Sequence, residues 1–138
     1  MRIFSILIFA FQCTAVVAAQ ADIATARVVA FLTNAHTGKD MRAEDWLTKQ
    51  TRSAEAFKAF GGLAALVRQS TARAERFGGL ESVQVLDERK VGREYAVTAE
   101  VHFREDHRNP NNAAIAANED MVWRFRIVDE GGKLLLDF

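Results

Sequence analysis

Cysteine and proline are almost missing from this chain, which holds one of each, Cys13 and Pro110, in 138 residues. A lone cysteine closes no intrachain disulfide. If it leaves with an N-terminal leader, the mature chain has no thiol nucleophile and no thiolate metal ligand, so its stability must come from packing. Charge of one sign is lacking too, with 18 basic and 18 acidic residues and a formal net charge of zero. That excludes the basic excess by which proteins hold nucleic acid or an anionic membrane surface. No apolar run reaches the roughly 20 residues that cross a bilayer comfortably. There is no Asn-x-Ser/Thr sequon, no internal repeat and no low-complexity linker. No glycine loop of the phosphate-cradling kind occurs either. The three Gly-Gly pairs read as a helix break, a helix stop and a hairpin turn.

What the chain does carry is an address. Arg2 precedes an apolar run from Ile3 to about Val17, and small residues follow. This is the layout of a secretory signal peptide. Val17 and Ala19 would direct cleavage before Gln20; Ala19 and Ala21 would direct it before Asp22. The expectation is a leader over residues 1–19 and a single domain over 20–138, exported to the periplasm or beyond. The membrane enters only if the leader stays uncleaved. Gln12 precedes Cys13 where lipid acylation needs a small residue. Only Arg2 is charged in the leader, so cleavage leaves 17 basic residues (18 less one) against 18 acidic, a net of −1.

The domain divides into a helical half and a strand-rich half. Asp22 is placed to cap a helix running to about Ala35, with Ile23, Ala26, Ala30 and Phe31 on one face and Gly38 ending it. A short helix over Arg42 to Leu47 carries Trp46. Ser53 is placed to cap a further helical stretch, in which Phe57, Phe60, Ala64, Val67, Thr71, Ala74 and Phe77 recur at steps of three and four. Gly61-Gly62 breaks that stripe and Gly78-Gly79 ends it. From Ser82 the period becomes two. Val83 and Val85, then Tyr95 to Phe103, then Met121 to Ile127, then Leu134, Leu136 and Phe138 alternate with polar neighbours. Turns fall at Val91-Gly92-Arg93 and Asp129-Glu130-Gly131-Gly132, and a polar loop spans 105–119. The expected fold class is α+β: about three helices on one face of a curved antiparallel meander of about four strands.

The run VVAFLTNAHTGKD, the aromatic EDW helix, the segment FGGLESVQVLDERKVGREYAVTAEVHF and the hairpin MVWRFRIVDEGGKLLLDF resemble the nuclear transport factor 2-like superfamily of cone-shaped α+β domains. The closer likeness is to its small exported bacterial members of unknown function, and it covers essentially the whole mature chain. The resemblance implies a cavity between helices and concave sheet, and often a dimer. The superfamily contains isomerases, cyclases, dehydratases and non-catalytic binding or assembly domains, so the fold does not choose among them.

Enzymes of that kind place an acid or histidine inside the cone. The inward strand phase read from the sequence holds none, and Tyr95 is its only hydroxyl donor. No catalytic residue, metal ligand set or cofactor is therefore assigned. The cone lining reads as a filled core, or as a pocket for a small apolar ligand bounded by Trp46, Tyr95 and Trp123. The opposite phase gathers Glu100, His102, Arg124 and Arg126, either a solvated face or an interaction surface for a second copy or a periplasmic protein partner. His102, Asp106 and His107 match no zinc spacing. Arg104, Arg108, Arg124 and Arg126 could form an anion site, with acids close by in sequence. The leading expectation is an exported, non-catalytic binding or interaction module. The alternatives are a small-ligand binder or isomerase-like enzyme using the cone, with Asp40, Glu44 and Asp45 as the nearby acids, and a subunit of an envelope secretion or conjugation assembly.

Overall fold

The structure is a computed structural model and describes residues 23–105 and 121–138. The leader, the Asp22 cap, and Asp106, His107 and Arg108 lie outside the described residues.

Helix α1 covers 23–37 and ends at Gly38, whose φ of +74° suits glycine. Its fully buried face is Ala24, Val28, Phe31, Leu32 and Ala35. This corrects the expected stripe: Ile23 is 56% exposed and Ala26 is exposed, and only Phe31 is common to both as a fully buried residue. Alanines give little contrast between faces, so the larger residues set the phase.

Where about three helices were expected, the described residues form five. Helix α2 is Ala43–Trp46, α3 is Lys49–Ser53, α4 is Glu55–Phe60 and α5 is Gly62–Arg76. Extended backbone at Leu47, Thr48 and Ala54 makes the divisions. Thr48 caps α3, its hydroxyl accepting from Thr51 N at 3.2 Å. Ser53 was expected as a cap but ends α3, its Oγ donating to Lys49 O at 2.8 Å. The break at Gly61-Gly62 is as read: Gly61 has φ +109°, and a Cβ there would stand 2.8 Å from Ala65 Cβ. Helix α5 buries Leu63, Ala65, Leu66, Ser70 and Ala74. Of the expected stripe, Ala74 is buried, Phe57, Val67, Thr71 and Phe77 are half-buried, and Phe60 and Ala64 are exposed. No helix among the described residues is long and apolar enough to cross a membrane.

The strands are β1 Leu80–Val91, β2 Glu94–Phe103, β3 Val122–Glu130 and β4 Lys133–Asp137, an antiparallel sheet in the order β1-β2-β3-β4. Strand β2 alternates perfectly, with Tyr95, Val97, Ala99, Val101 and Phe103 buried. Its concave side, with Phe125, Ile127 and Leu136, meets Val28, Phe31, Leu32 and Leu47 in one core. Strand β1 departs from its expected phase. A register shift between Val85 and Asp87 leaves Leu86 49% exposed and brings Glu88 opposite Val97. Glu88 thus shares a strand phase with Val97 but is exposed, its Oε2 accepting from Thr25 Oγ1 at 2.6 Å. Strand β4 buries Leu135 as well as Leu136, while Phe138 is 47% exposed yet sets its ring 5.5 Å from that of Phe125.

The last strand is tied down at its end. Thr48 N donates to Leu136 O at 3.0 Å. Asp137 accepts from Thr51 Oγ1 at 2.6 Å, from Thr48 Oγ1 at 3.1 Å and from Arg126. Burial pushes the Asp137 carboxyl up, but the hydrogen bonds from Thr51, Arg126 and Thr48 and the Arg126 charge outweigh it and hold it below the usual carboxylate range. Its stabilisation is therefore complete above the unfolded-state pKa of about 3.9 and is lost as pH falls through the lower folded value. Asp137→Asn should cost about 2 kcal/mol at neutral pH, within the range for hydrogen bonds to a charged group. Urea unfolding checks this, and the gap between the two proteins should close in strong acid.

Candidate functional site

A cup of about 490 Å³ opens between the end of α1, the middle of α5 and the start of β3. Helix α5 contributes Leu66, Gln69, Ser70 and Arg73, one and two turns apart on a common side. Phe60 stands at the α4–α5 break, and β3 contributes Val122, Trp123 and Arg124. From α1 comes His36.

His36 is 4% exposed, and its Nδ1 lies 2.7 Å from Leu32 O. A carbonyl only accepts, so Nδ1 carries a hydrogen and, in the neutral ring, Nε2 carries the lone pair. The ring sits 5.9 Å from those of Phe103 and Trp123, edge-on to the latter at 85°. Burial pushes its pKa below the ordinary value; the Leu32 bond opposes this and the Arg73 charge adds to it. The imidazole is thus kept neutral, a hydrogen-bond acceptor at the wall of the cup.

Trp123 stacks on Phe125 with ring centroids 6.0 Å apart at 12°. Its Nε1–H is buried and has no hydrogen-bond partner among the described residues. Such a donor costs about 1–3 kcal/mol when left unpaired. Two arginines, Arg73 and Arg124, are among the described residues that line the cup. The exposed Arg124 lies opposite Thr98. Arg126 is instead neutralised, by Glu94 at 3.2 Å and by Asp137.

The residues singled out in the sequence are distributed rather than gathered. Of Trp46, Tyr95 and Trp123, Trp123 lines the cup. Trp46 lies 5.9 Å from Phe31 with the Arg27 guanidinium 3.7 Å above its ring, and Arg27 also donates to Asp45 O and to Leu134 O. Tyr95 is 7% exposed and faces a separate depression beside Glu94 and Phe138. On the other face, Glu100 and His102 neighbour each other, Oε2 to Nε2 at 3.6 Å. Their strand register sets Glu100 opposite Val122, so the arginine pairs form elsewhere. Asp45 pairs with Lys133 at 3.3 Å, and none of Asp40, Glu44 and Asp45 lines the cup.

Sequence reading passed over His36, Gln69, Ser70 and Arg73. A signal for His36 exists: Val28 and Leu32 are buried at a spacing of four, and His36 is the next step.

The chain is similar in structure to a crystal structure described as an NTF2-like transpeptidase from Campylobacter jejuni. The TM-score is 0.56 at 16% identity, covering 80% of this chain and 94% of that one. The fold is NTF2-like. No protein-family model matches the chain, and no curated protein matches it. The cup lies between helices and sheet, and its polar groups come from the helical wall as much as from the strands.

The buried neutral histidine has a pH consequence. A folded-state pKa below the unfolded value near 6.5 means the unfolded chain binds the extra proton first. Stability from this site is complete above that value and is lost as pH falls through the folded one. Urea unfolding at steps between pH 7 and 5 should show a positive slope of stability with pH. His36→Gln should flatten it.

Proposed function

We propose that this protein is an exported binding module that holds a small molecule in the cup. The observation that carries the reading is a pair of buried polar groups that meet at the cup, the His36 ring from α1 and the Trp123 indole N–H from β3, with ring centroids 5.9 Å apart. The first offers an acceptor that its own helix does not use, and the second a donor without a partner. Polar groups held this way in an interior are costly, and a ligand that pairs with them removes the cost. The volume of about 490 Å³ falls in the range of small-molecule sites, about 300–1,000 Å³, and the lining mixes polar side chains with Phe60, Leu66 and Val122. Export rests on the leader pattern around Arg2 and Ala19. The activity named for the structural neighbour is not carried over, because the likeness is one of fold.

The test is native mass spectrometry of the mature protein purified from its exported compartment. An added mass is expected that survives gentle ionisation and leaves on denaturation. Gln69→Trp, which puts a bulky ring at an exposed position of the cup lining, should abolish it with the circular dichroism spectrum unchanged. Bare polypeptide mass in both proteins would contradict the reading.

A further inference from the structure

Resting on that reading, we infer that the ligand meets the cup through an amide, as a primary carboxamide or a lactam, with its N–H on His36 and its carbonyl oxygen on Trp123. The two rings stand nearly perpendicular at 85°, with centroids 5.9 Å apart, so one small group can serve both nitrogens. Each nitrogen has a fixed role. Nδ1–H of His36 is committed to Leu32 O, and the neutral ring offers Nε2 as an acceptor alone. An indole Nε1–H only donates, and that of Trp123 has no partner among the described residues. The pair therefore calls for a hydrogen at one point and a lone pair at the next.

Common polar groups differ in how they meet that demand. A carboxylate has no hydrogen to give and sets a lone pair against Nε2. An ester accepts but does not donate. An ammonium or a guanidinium donates but cannot accept from the indole. A hydroxyl must serve both nitrogens from one oxygen. A carboxamide or lactam carries its N–H donor and its carbonyl acceptor side by side, without net charge and so without the desolvation cost of an ion. This selection does not depend on the arginines: Arg73 is already engaged, and Arg124 is exposed. Gln69 and Ser70 add polar side chains to the lining, and Phe60, Leu66 and Val122 can receive an apolar body.

The inference is tested with 3-phenylpropanamide, its methyl ester counterpart methyl 3-phenylpropanoate, and 3-phenylpropan-1-ol. Each is titrated into the mature protein while the indole N–H signals of Trp46 and Trp123 are followed by NMR. The amide should move the Trp123 signal and leave that of Trp46 in place. It should bind at least about tenfold more tightly than the ester or the alcohol, a difference of about 1.4 kcal/mol. His36→Phe should remove the preference for amide over ester. Trp123→Phe, which keeps a ring and deletes the N–H, should weaken amide and ester alike. If the ester or the alcohol comes within tenfold of the amide at Trp123, or if His36→Phe keeps the preference, the amide class is overturned and the small-molecule cup stands. If no compound moves the Trp123 signal at millimolar concentration, the amide class is overturned as well, and the retained mass decides separately for the cup.

Discussion

The concave face of a four-stranded sheet cannot stay wet, and Phe31 is where this chain meets that constraint. Its ring is fully buried, 5.9 Å from Trp46, 5.7 Å from Phe125 and 6.3 Å from Phe138. One side chain therefore joins α1 to α2, to the middle of the sheet and to the end of the chain. Burial of such a ring is worth about 1.5–3 kcal/mol, and each well-placed aromatic pair adds about 0.5–1.5 kcal/mol. The Arg27 guanidinium over Trp46, bonded also to backbone carbonyls of α2 and β4, holds the same junction from the outer side.

The helix that covers the sheet also builds the cup. Its apolar row runs through Val28 and Leu32 and then delivers His36, so the packing that fixes α1 fixes the imidazole too. Trp123 is placed by strand register, opposite Ala99, with Phe125 stacked beneath it. The two key polar groups thus stand on regular secondary structure, where neighbours restrict their rotamers. A site framed this way is preorganised, and little ordering is needed when a ligand arrives. The unpaired indole donor is a stability cost that packing at the Phe31 junction can offset.

The sheet was legible in the sequence because a period of two leaves little freedom. The Val97–Phe103 alternation, the Gly92 turn and the Gly131-Gly132 turn appear in the structure as read. Helix phase was less legible. In α1 the alanines are nearly neutral between faces, and the row starting at Ile23 competes with the row starting at Ala24. The shift at Val85 and Asp87 has no glycine to announce it, which hid the pairing of Glu88 with Val97. The cup itself was the least legible feature. It joins one residue of α1, four of α5 and three of β3 with Phe60, and sequence distance conceals that meeting. Reading the inward chemistry from the strands alone therefore missed a histidine supplied by a helix.

The central claim is that His36 stands at the cup as a neutral ring with Nε2 open. Long-range 1H–15N NMR of the histidine rings at pH 7 tests it directly. The account predicts that His36 is the Nδ1–H tautomer, with an unprotonated Nε2 whose signal moves when a ligand fills the cup. An imidazolium, or an Nε2–H tautomer, would contradict it.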